Sequence, residues 1–298
     1  MPPGQKVIKE ADKLLSMDYT ASGNEQAITR FRQELIVGGY SPRTIKMYLF
    51  YLKGFLDAIK KSPESVERED IITFLAEKKE KNNTSNATLS LIHSALKFYF
   101  HNMLGKNILE EIKTPRKAKK LPIVLTVSEV KALILATKAK RNRLIVQFLY
   151  SSGARVSECV NIKVNDLNLK ERVASIRGGK GNKDRTIILS KEWIKGIKKY
   201  LEKKKIKTEQ VFSKKNGSPI SSDTVQRIVR SAAKKAGIKK HVTPHTLRHS
   251  YATHLLDAGE NIRKIQELLG HSNLNTTQIY THVSVNDLKK VESPLDRL

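Results

Sequence analysis

The chain of 298 residues carries 56 basic and 29 acidic residues, a formal net charge of +27, and a single cysteine. This length favours about two domains of ordinary size, and the lone Cys159 excludes a disulfide framework and a cysteine-rich zinc module. No apolar run approaches the ~20 residues that a membrane helix needs. We therefore expect a soluble cytoplasmic protein without a membrane partner.

The positive charge is concentrated in the second half of the chain. Residues 1–120 hold 21 basic and 14 acidic side chains, whereas residues 121–298 hold 35 basic and 15 acidic ones. Such an excess destabilises a compact chain by self-repulsion unless a polyanion binds to it. A charged thermophilic surface is the alternative, but it would raise glutamate together with lysine. The composition favours a nucleic-acid partner.

The first ~110 residues predict helices only. A first helix covers residues 24–37, and Ser41 followed by Pro42 is typical of the cap and first position of a second helix. Apolar side chains at helical spacing predict further helices over residues 65–81 and 85–104. The pattern indicates an N-terminal helical bundle, which we assign to residues 1–113.

Residues 114–122 interrupt this pattern with two prolines, several basic residues and no acidic one. Such a composition is typical of an interdomain linker. A basic linker between two basic domains suggests that both domains hold one anion, with the linker lying along it.

The second domain, assigned to residues 123–283, combines helices with a small sheet. Thr126 and Glu129 form a capping box before an apolar helix. The hydrophobic pattern then changes, which predicts strands over residues 172–177 and 185–189 around a glycine-rich turn. The remaining predicted helices cover residues 141–152, 191–204, 221–236, 244–258, 262–269 and 276–282. The expected fold is mainly α, with a small antiparallel β-sheet in the second domain.

The helix predicted over residues 244–258 carries a candidate anion site. His245, Arg248 and His249 lie on one face beside an apolar stripe of Leu247, Tyr251, Leu255 and Ala258, in the first turn where backbone N–H groups favour an anion. The alternative is a local cap at His245 and a solvated or salt-bridged surface Arg248. Thr246 and Arg248 between the two histidines make a zinc helix a poor fit. The sequence also has no phosphate-loop motif.

Six residues, in this order, resemble the active-site set of the tyrosine recombinases, the phage-integrase family: Arg155, Lys180, His245, Arg248, His271 and Tyr280. The surrounding motifs resemble most the Xer branch: Ser152-Gly153-Ala154-Arg155, Gly179-Lys180-Gly181-Asn182-Lys183, Pro244-His245-Thr246-Leu247-Arg248-His249 and Leu269-Gly270-His271-Ser272. The resemblance covers the whole chain and implies a core-binding domain, a linker and a catalytic domain.

These residue types suit strand cleavage without metal or ATP. Two guanidinium groups, Arg155 and Arg248, can bind both non-bridging phosphate oxygens, and His271 can add a hydrogen bond. Tyr280 can attack phosphorus and store the strand end covalently, so that rejoining needs no nucleotide and no cofactor. The resemblance implies that His245 helps to take the tyrosine proton and that Lys180 protonates the leaving 5′-hydroxyl.

Further DNA contacts are expected from basic residues of the bundle, the linker and the hairpin: Arg43, Lys46, Arg116, Lys117, Lys119, Lys120, Lys183 and Arg185. Residues 284–298 have amphipathic spacing. They form either a frayed tail, a helix on their own domain or, as the resemblance implies, a helix exchanged between protomers of a tetramer.

The resemblance implies a site-specific recombinase that works on double-stranded DNA in the nucleoid. It would act at a short, nearly palindromic site through a 3′-phosphotyrosine and a Holliday junction, and would resolve chromosome dimers. Two alternatives stay open on the sequence alone: a mobile-element integrase or invertase, and a basic DNA-binding protein without catalysis.

Overall fold

The computed structural model describes residues 24–113, 122–177, 184–204 and 206–270. The chain divides into two compact units, Met1–Lys119 and Lys120–Leu298, and each has a buried core of its own. The predicted fold class is confirmed, since the described residues are mainly helical with one small antiparallel sheet. No helix in the described part of the chain is long and apolar enough to span a bilayer.

The first unit is a helical bundle. Its helices are α1 (Asn24–Val37), α2 (Pro42–Ile59), α3 (Arg68–Glu80) and α4 (Asn86–Lys97). The predicted cap of α2 is confirmed, because the backbone N–H of Thr44 donates to the Ser41 hydroxyl at 3.2 Å. The helices enclose a core of fully buried side chains: Phe31, Leu35, Leu52, Phe55, Ile71, Ala95, Leu96 and Phe100.

Two helices of this bundle differ from their predicted extents. A short 3₁₀ turn at Pro63–Ser65 precedes α3, which begins at Arg68 because Glu67 and Asp70 form its capping box. The helix predicted to run to residue 104 changes after α4 into a π-helical turn, Phe98–Met103. The neighbouring side chains of Tyr99 and Phe100 are both buried there, and the wider turn lets both face the core.

The second unit contains seven α-helices, one 3₁₀ turn (Val164–Asp166) and three strands among its described residues. The helices are α5 (Val127–Ala136), α6 (Lys140–Ser152), α7 (Val156–Asn161), α8 (Lys191–Glu202), α9 (Ser222–Lys235), α10 (Pro244–Asp257) and α11 (Ile262–Leu269). The strands are β1 (Leu167–Asn168), β2 (Val173–Ile176) and β3 (Arg185–Ile188), paired antiparallel in the order β1-β2-β3. The capping box of α5 is confirmed, because the N–H of Glu129 donates to the Thr126 hydroxyl and the N–H of Thr126 donates to the Glu129 carboxylate.

Helix α6 is the central element of this unit. It packs against α5, α7, α8, α9, α10 and β3, and its Phe148 ring lies 5.3 Å from the Trp193 ring of α8. The indole N–H of Trp193 donates to the Leu144 carbonyl at 3.0 Å. Because Arg155 follows α6 by three residues, this central helix determines the position of the Arg155 backbone.

Several predictions for the second unit need correction or lie outside the described residues. Helix α7 and strand β1 were not predicted, because six and two residues are too short to show a hydrophobic period. Ala258 does not belong to the buried stripe of α10, since the helix ends at Asp257 and Ala258 is exposed. Residues 114–121 of the predicted linker, the glycine-rich turn at 178–183, the helix over 276–282 and the tail at 284–298 lie outside the described residues.

Candidate active site

Arg155 stands at the N-cap of α7, directly after the chain reverses at the end of α6. Gly153 makes this reversal in the left-handed region, with φ at +62°, a conformation that favours glycine. The guanidinium of Arg155 donates to Glu158 Oε1 at 2.9 Å and to the Gly270 carbonyl at 3.1 Å. Its side chain stays 20% exposed, so a ligand can still reach it.

Glu158 holds two arginines at once from a buried position. Its carboxylate accepts from the side chain and the backbone N–H of Arg155, and from both terminal nitrogens of Arg185 at 2.7 and 2.6 Å. Burial alone would raise the pKa of Glu158, but the hydrogen bonds and charge of Arg185, together with Arg155, lower the pKa to about 2. The carboxylate is therefore ionised at neutral pH.

Arg185, predicted as a DNA contact, is held inside the protein beside Glu158. Only 8% of its side chain is exposed, and its third nitrogen, Nε, donates to the Leu268 carbonyl at 2.9 Å. All three guanidinium nitrogens are thus engaged inside the protein. These bonds use three of the five guanidinium hydrogens, so the DNA contact of Arg185 stays a prediction.

Arg248 projects from α10 into the same region. It is buried, with 4% exposed, and it donates to the carbonyls of Gly153 and Leu269, both at 2.6 Å. The alternative of a solvated surface arginine is therefore wrong. Two neutral carbonyls fix the plane of this guanidinium without cancelling its charge.

The C-terminus of α11 connects all three arginines. The carbonyls of Leu268, Leu269 and Gly270 are consecutive, and they accept from Arg185, Arg248 and Arg155 respectively. The last carbonyls of a helix have no partner within the helix and form the negative end of its dipole. The three guanidinium groups satisfy these carbonyls, so the end of α11 is locked to the arginine cluster.

Two histidines of α10 lie beside this cluster. Desolvation, followed by the charges of Arg248 and Arg155, lowers the pKa of His245. Burial, followed by the effects of His245 and Arg248, lowers the pKa of His249 to about 4. Both imidazoles are neutral at neutral pH and can accept a proton. The structure thus brings together three of the six predicted catalytic residues: Arg155, His245 and Arg248.

The other predicted site residues are divided between the surface of α2 and the part of the chain outside the described residues. Arg43 is exposed in the first turn of α2, and Lys46 is half-buried three residues later. The remaining predicted residues lie outside the described residues: Arg116, Lys117, Lys119, Lys120, Lys180, Lys183, His271 and Tyr280. His271 directly follows the anchored end of α11 in the sequence.

Sequence reasoning missed the residues that hold the arginines in place. Glu158 was not assigned a role, although a glutamate at the third position of a helix often accepts from the N-cap backbone N–H, as it does here from Arg155. The carbonyls of Gly153, Leu269 and Gly270 left no signal in the sequence, because every residue type has a backbone carbonyl.

Comparisons with known proteins show the family of this chain. Residues 124–287 match the phage integrase family, and residues 28–110 match its N-terminal SAM-like domain. The chain belongs to the phage integrase family. It is 40% identical to the tyrosine recombinase XerA of Pyrococcus horikoshii, over 90% of this chain and 92% of that protein. It is 36% identical to XerD of Listeria monocytogenes, over 86% and 93%.

Solved structures agree with this assignment. A crystal structure of XerA recombinase has a TM-score of 0.53 at 33% identity and covers 89% of this chain and 96% of that chain. A XerH recombinase bound to its difH substrate has a TM-score of 0.68 at 25% identity, covering 98% and 89%. The chain is thus a site-specific tyrosine recombinase of Xer type, as the resemblance predicts. The Xer relatives favour this over a mobile-element integrase.

Proposed function

We propose that the arginine cluster of this Xer-type recombinase binds the scissile phosphate of double-stranded DNA. One observation carries the proposal: Arg155, Arg248 and His245 converge at the anchored end of α11. Among the described residues, Arg155 and Arg185 share the one carboxylate of Glu158, so this pair keeps a positive charge. Both neighbouring histidines are neutral, and the remaining charge suits a phosphate diester and the larger negative charge of its transition state.

The fixed geometry of the arginines supports transition-state stabilisation. Each terminal nitrogen of a guanidinium carries two hydrogens, and those of Arg155 use one each for Glu158 and Gly270. The second hydrogens can point towards phosphate oxygens. Since the donors are oriented before DNA binds, little reorganisation is needed when charge develops on the phosphate.

We assign the remaining chemical steps by the family resemblance. Tyr280 attacks phosphorus and forms a 3′-phosphotyrosine, while Lys180 protonates the departing 5′-hydroxyl. His245 takes the tyrosine proton, a role that its lowered pKa supports because the ring is neutral and can accept a proton. His271 adds a phosphate hydrogen bond. Attack of the 5′-hydroxyl on the phosphotyrosine reverses the reaction, so neither metal nor ATP takes part.

At the level of the assembly, we propose a tetramer on two paired, nearly palindromic sites that exchanges strands through a Holliday junction. The XerH relative was solved on its difH substrate, which supports a short recombination site. In this proposal residues 1–113 and 123–283 hold the DNA, the linker at 114–122 lies along it, and residues 284–298 dock on the next protomer. The biological role is resolution of chromosome dimers in the cytoplasm.

A nicked suicide substrate tests the chemistry. Wild-type protein should form a denaturant-stable covalent adduct in EDTA without nucleotide, and Tyr280→Phe should form none while it binds DNA normally. Tyr40→Phe, a change of a partly exposed tyrosine in the first unit, is the matched control and should form the adduct. Adducts formed by Tyr280→Phe, or a strict requirement for Mg²⁺, would contradict the proposal.

A further inference from the structure

The two strands that flank the glycine-rich turn are each fixed at the end next to that turn. The last pair of the β2–β3 ladder joins Ile176 to Arg185. One residue beyond it, Nε of Arg177 lies 3.0 Å from Oδ1 of Asp166 in an ion pair. On the other strand, Arg185 binds both carboxylate oxygens of Glu158. Both strand ends are therefore joined to the segment that runs from α7 to β1, each through an arginine and a carboxylate.

Asp166 provides a rigid anchor for the end of β2. Its side chain is only 9% exposed, and its second oxygen, Oδ2, accepts from the backbone N–H of Lys163 at 2.9 Å. The backbone N–H of Asp166 donates in turn to the Lys163 carbonyl at 3.1 Å, which closes the 3₁₀ turn Val164–Asp166. The N–H of Val164 donates to the Glu209 carbonyl, so this turn is also joined to the chain before α9. The carboxylate that faces the end of β2 thus has a fixed position.

The ion pair of Asp166 with Arg177 orients the strand end and does little for stability. The Arg177 side chain is 71% exposed, and an ion pair in contact with water adds little to the free energy of folding. Ile176, the last residue of β2, is buried. Beyond it, a cavity of about 370 Å³ lined by residues of α7, of the 3₁₀ turn and of β2 leaves Arg177 without close packing on that side. The ion pair is thus the contact that holds Arg177 towards α7.

Covalent geometry connects this anchor to Lys180, the proposed acid for the leaving 5′-hydroxyl. Lys180 follows Arg177 by three residues and precedes Arg185 by five. Since a chain extends at most about 3.6 Å for each residue, the Lys180 Cα stays within about 11 Å of that of Arg177 and about 18 Å of that of Arg185. The two anchored arginines therefore limit where Lys180 can be, and the shorter limit is set from Arg177.

On the basis of the proposed role of Lys180, we propose that Asp166 is a positioning residue for strand cleavage. Through Arg177 it holds the strand end that precedes Lys180, so that the ammonium stays within reach of the leaving oxygen. In that step the Tyr280 oxygen, whose proton passes to His245, bonds to phosphorus. The bond from phosphorus to the 5′-oxygen breaks, and Lys180 gives its proton to that oxygen. Loss of the anchor slows this proton transfer alone, because the donor must lie within hydrogen-bond distance of the acceptor.

A 5′-bridging phosphorothiolate separates proton donation from the other steps of cleavage. A thiol has a pKa of about 8.5, far below that of an alcohol, so a 5′-sulfur leaves as a thiolate without taking up a proton. Single-turnover cleavage by the full chain at saturating protein is measured on nicked substrates with either oxygen or sulfur at the scissile position. A defect in proton donation slows cleavage of the oxygen substrate and disappears on the sulfur substrate.

Two variants remove the ion pair from either side. Asp166→Asn removes the charge that faces Arg177, while its amide oxygen can still accept from the Lys163 N–H. Arg177→Gln removes the other partner from an exposed position, so the fold should be kept. Each should cleave the oxygen substrate about tenfold more slowly, a part of the roughly 10²–10⁴-fold that a general acid contributes. Each should bind DNA and cleave the sulfur substrate like wild type.

The double variant and a matched control test whether the two residues act together. Asp166→Asn combined with Arg177→Gln should be no slower than either single variant, because both changes remove one interaction. Glu209→Gln removes the carboxylate of an exposed ion pair with Lys163, next to the same turn, and should cleave both substrates like wild type.

Lys180→Ala tests the acid separately from its anchor. If Lys180 is the acid, sulfur restores cleavage by Lys180→Ala. Wild-type cleavage of the oxygen substrate by Asp166→Asn and Arg177→Gln, or equal slowing on oxygen and sulfur, would then overturn the positioning role of Asp166 alone. If sulfur does not restore cleavage by Lys180→Ala, the proposed acid is wrong, and the positioning role of Asp166 is wrong with it.

Discussion

Replacing Glu158 with glutamine tests whether one buried carboxylate holds the arginine cluster together. Glutamine keeps the size of the side chain but has no charge, and its amide nitrogen cannot accept a hydrogen bond. Arg185 would lose its bidentate ion pair in a position where only 8% of its side chain is exposed. Arg155 would lose its charged partner at the N-cap of α7.

The size of the effect follows from the pKa of the carboxyl group. Its fall from 4.5 to about 2 corresponds to about 3 kcal/mol of stabilisation at 1.36 kcal/mol for each pH unit. Removal of one partner from a buried ion pair typically costs about 3–5 kcal/mol, which agrees. For a unit of this size, about 3 kcal/mol would lower the melting temperature by roughly 6–12 °C.

Urea unfolding of Glu158→Gln and Glu209→Gln measures this difference against a matched control. Glu209 also forms an ion pair, with Lys163, but both side chains are exposed, so its loss should cost much less than the loss of Glu158. The stabilisation by Glu158 is complete above pH 4.5 and disappears as the pH falls towards 2, because its folded pKa is lowered. The wild-type advantage should therefore shrink over that range. Equal free energies of unfolding for the two variants at pH 7 would refute the reasoning.

Three further predictions concern the groups around Glu158. In chemical denaturation, Gly153→Ala should destabilise the protein by about 1–3 kcal/mol more than Gly259→Ala. Both glycines have positive φ, so the backbone strain is similar. A Cβ at Gly153 would lie 2.5 Å from the Tyr251 ring, whereas a Cβ at Gly259 would meet open space. Arg185→Lys should cost about 2 kcal/mol despite its conserved charge, since an ammonium cannot replace the bidentate pair; a free energy of unfolding within 0.5 kcal/mol of wild type would contradict this. NMR titration should find His249 neutral down to about pH 4. Because its folded pKa is lowered from 6.5, the contribution of His249 to stability is complete above pH 6.5 and is lost as the pH falls towards 4. A measured pKa near 6.5 would contradict the burial of this imidazole.

The helices were predictable where a local signal marks their ends. Ser41 before Pro42 and the pair of Thr126 and Glu129 are short-range patterns, and the structure has the hydrogen bonds that they predict. The π-helical turn after α4 was not predictable, because it results from packing two adjacent aromatic rings into one core.

The residue types of the site were predictable from the sequence, but the hydrogen bonds and ion pairs between these residues were not. Arg155, His245 and Arg248 stand out by their order and chemistry, and the structure brings them together. The sequence predicts Arg185 as a DNA contact because it is a basic residue close to Lys180 of the glycine-rich hairpin. Its partner, Glu158, lies 27 residues earlier in the chain, and a pairing over that distance leaves no local pattern.

The three arginines are held by different kinds of acceptor, either neutral carbonyls or a carboxylate. A variant of the carboxylate can therefore show whether the charge of the arginines or their orientation limits the reaction. Arg248 donates to carbonyls, which fix its plane and leave its charge intact, whereas Arg155 shares the carboxylate of Glu158 with Arg185. Loss of that carboxylate makes the cluster more positive by one charge and leaves Arg155 less well oriented. If charge limited the reaction, Glu158→Gln would bind and cleave DNA better than wild type. If orientation limits it, as the anchoring suggests, DNA affinity should hold or rise while the cleavage rate falls, and single-turnover cleavage at saturating protein would separate the two.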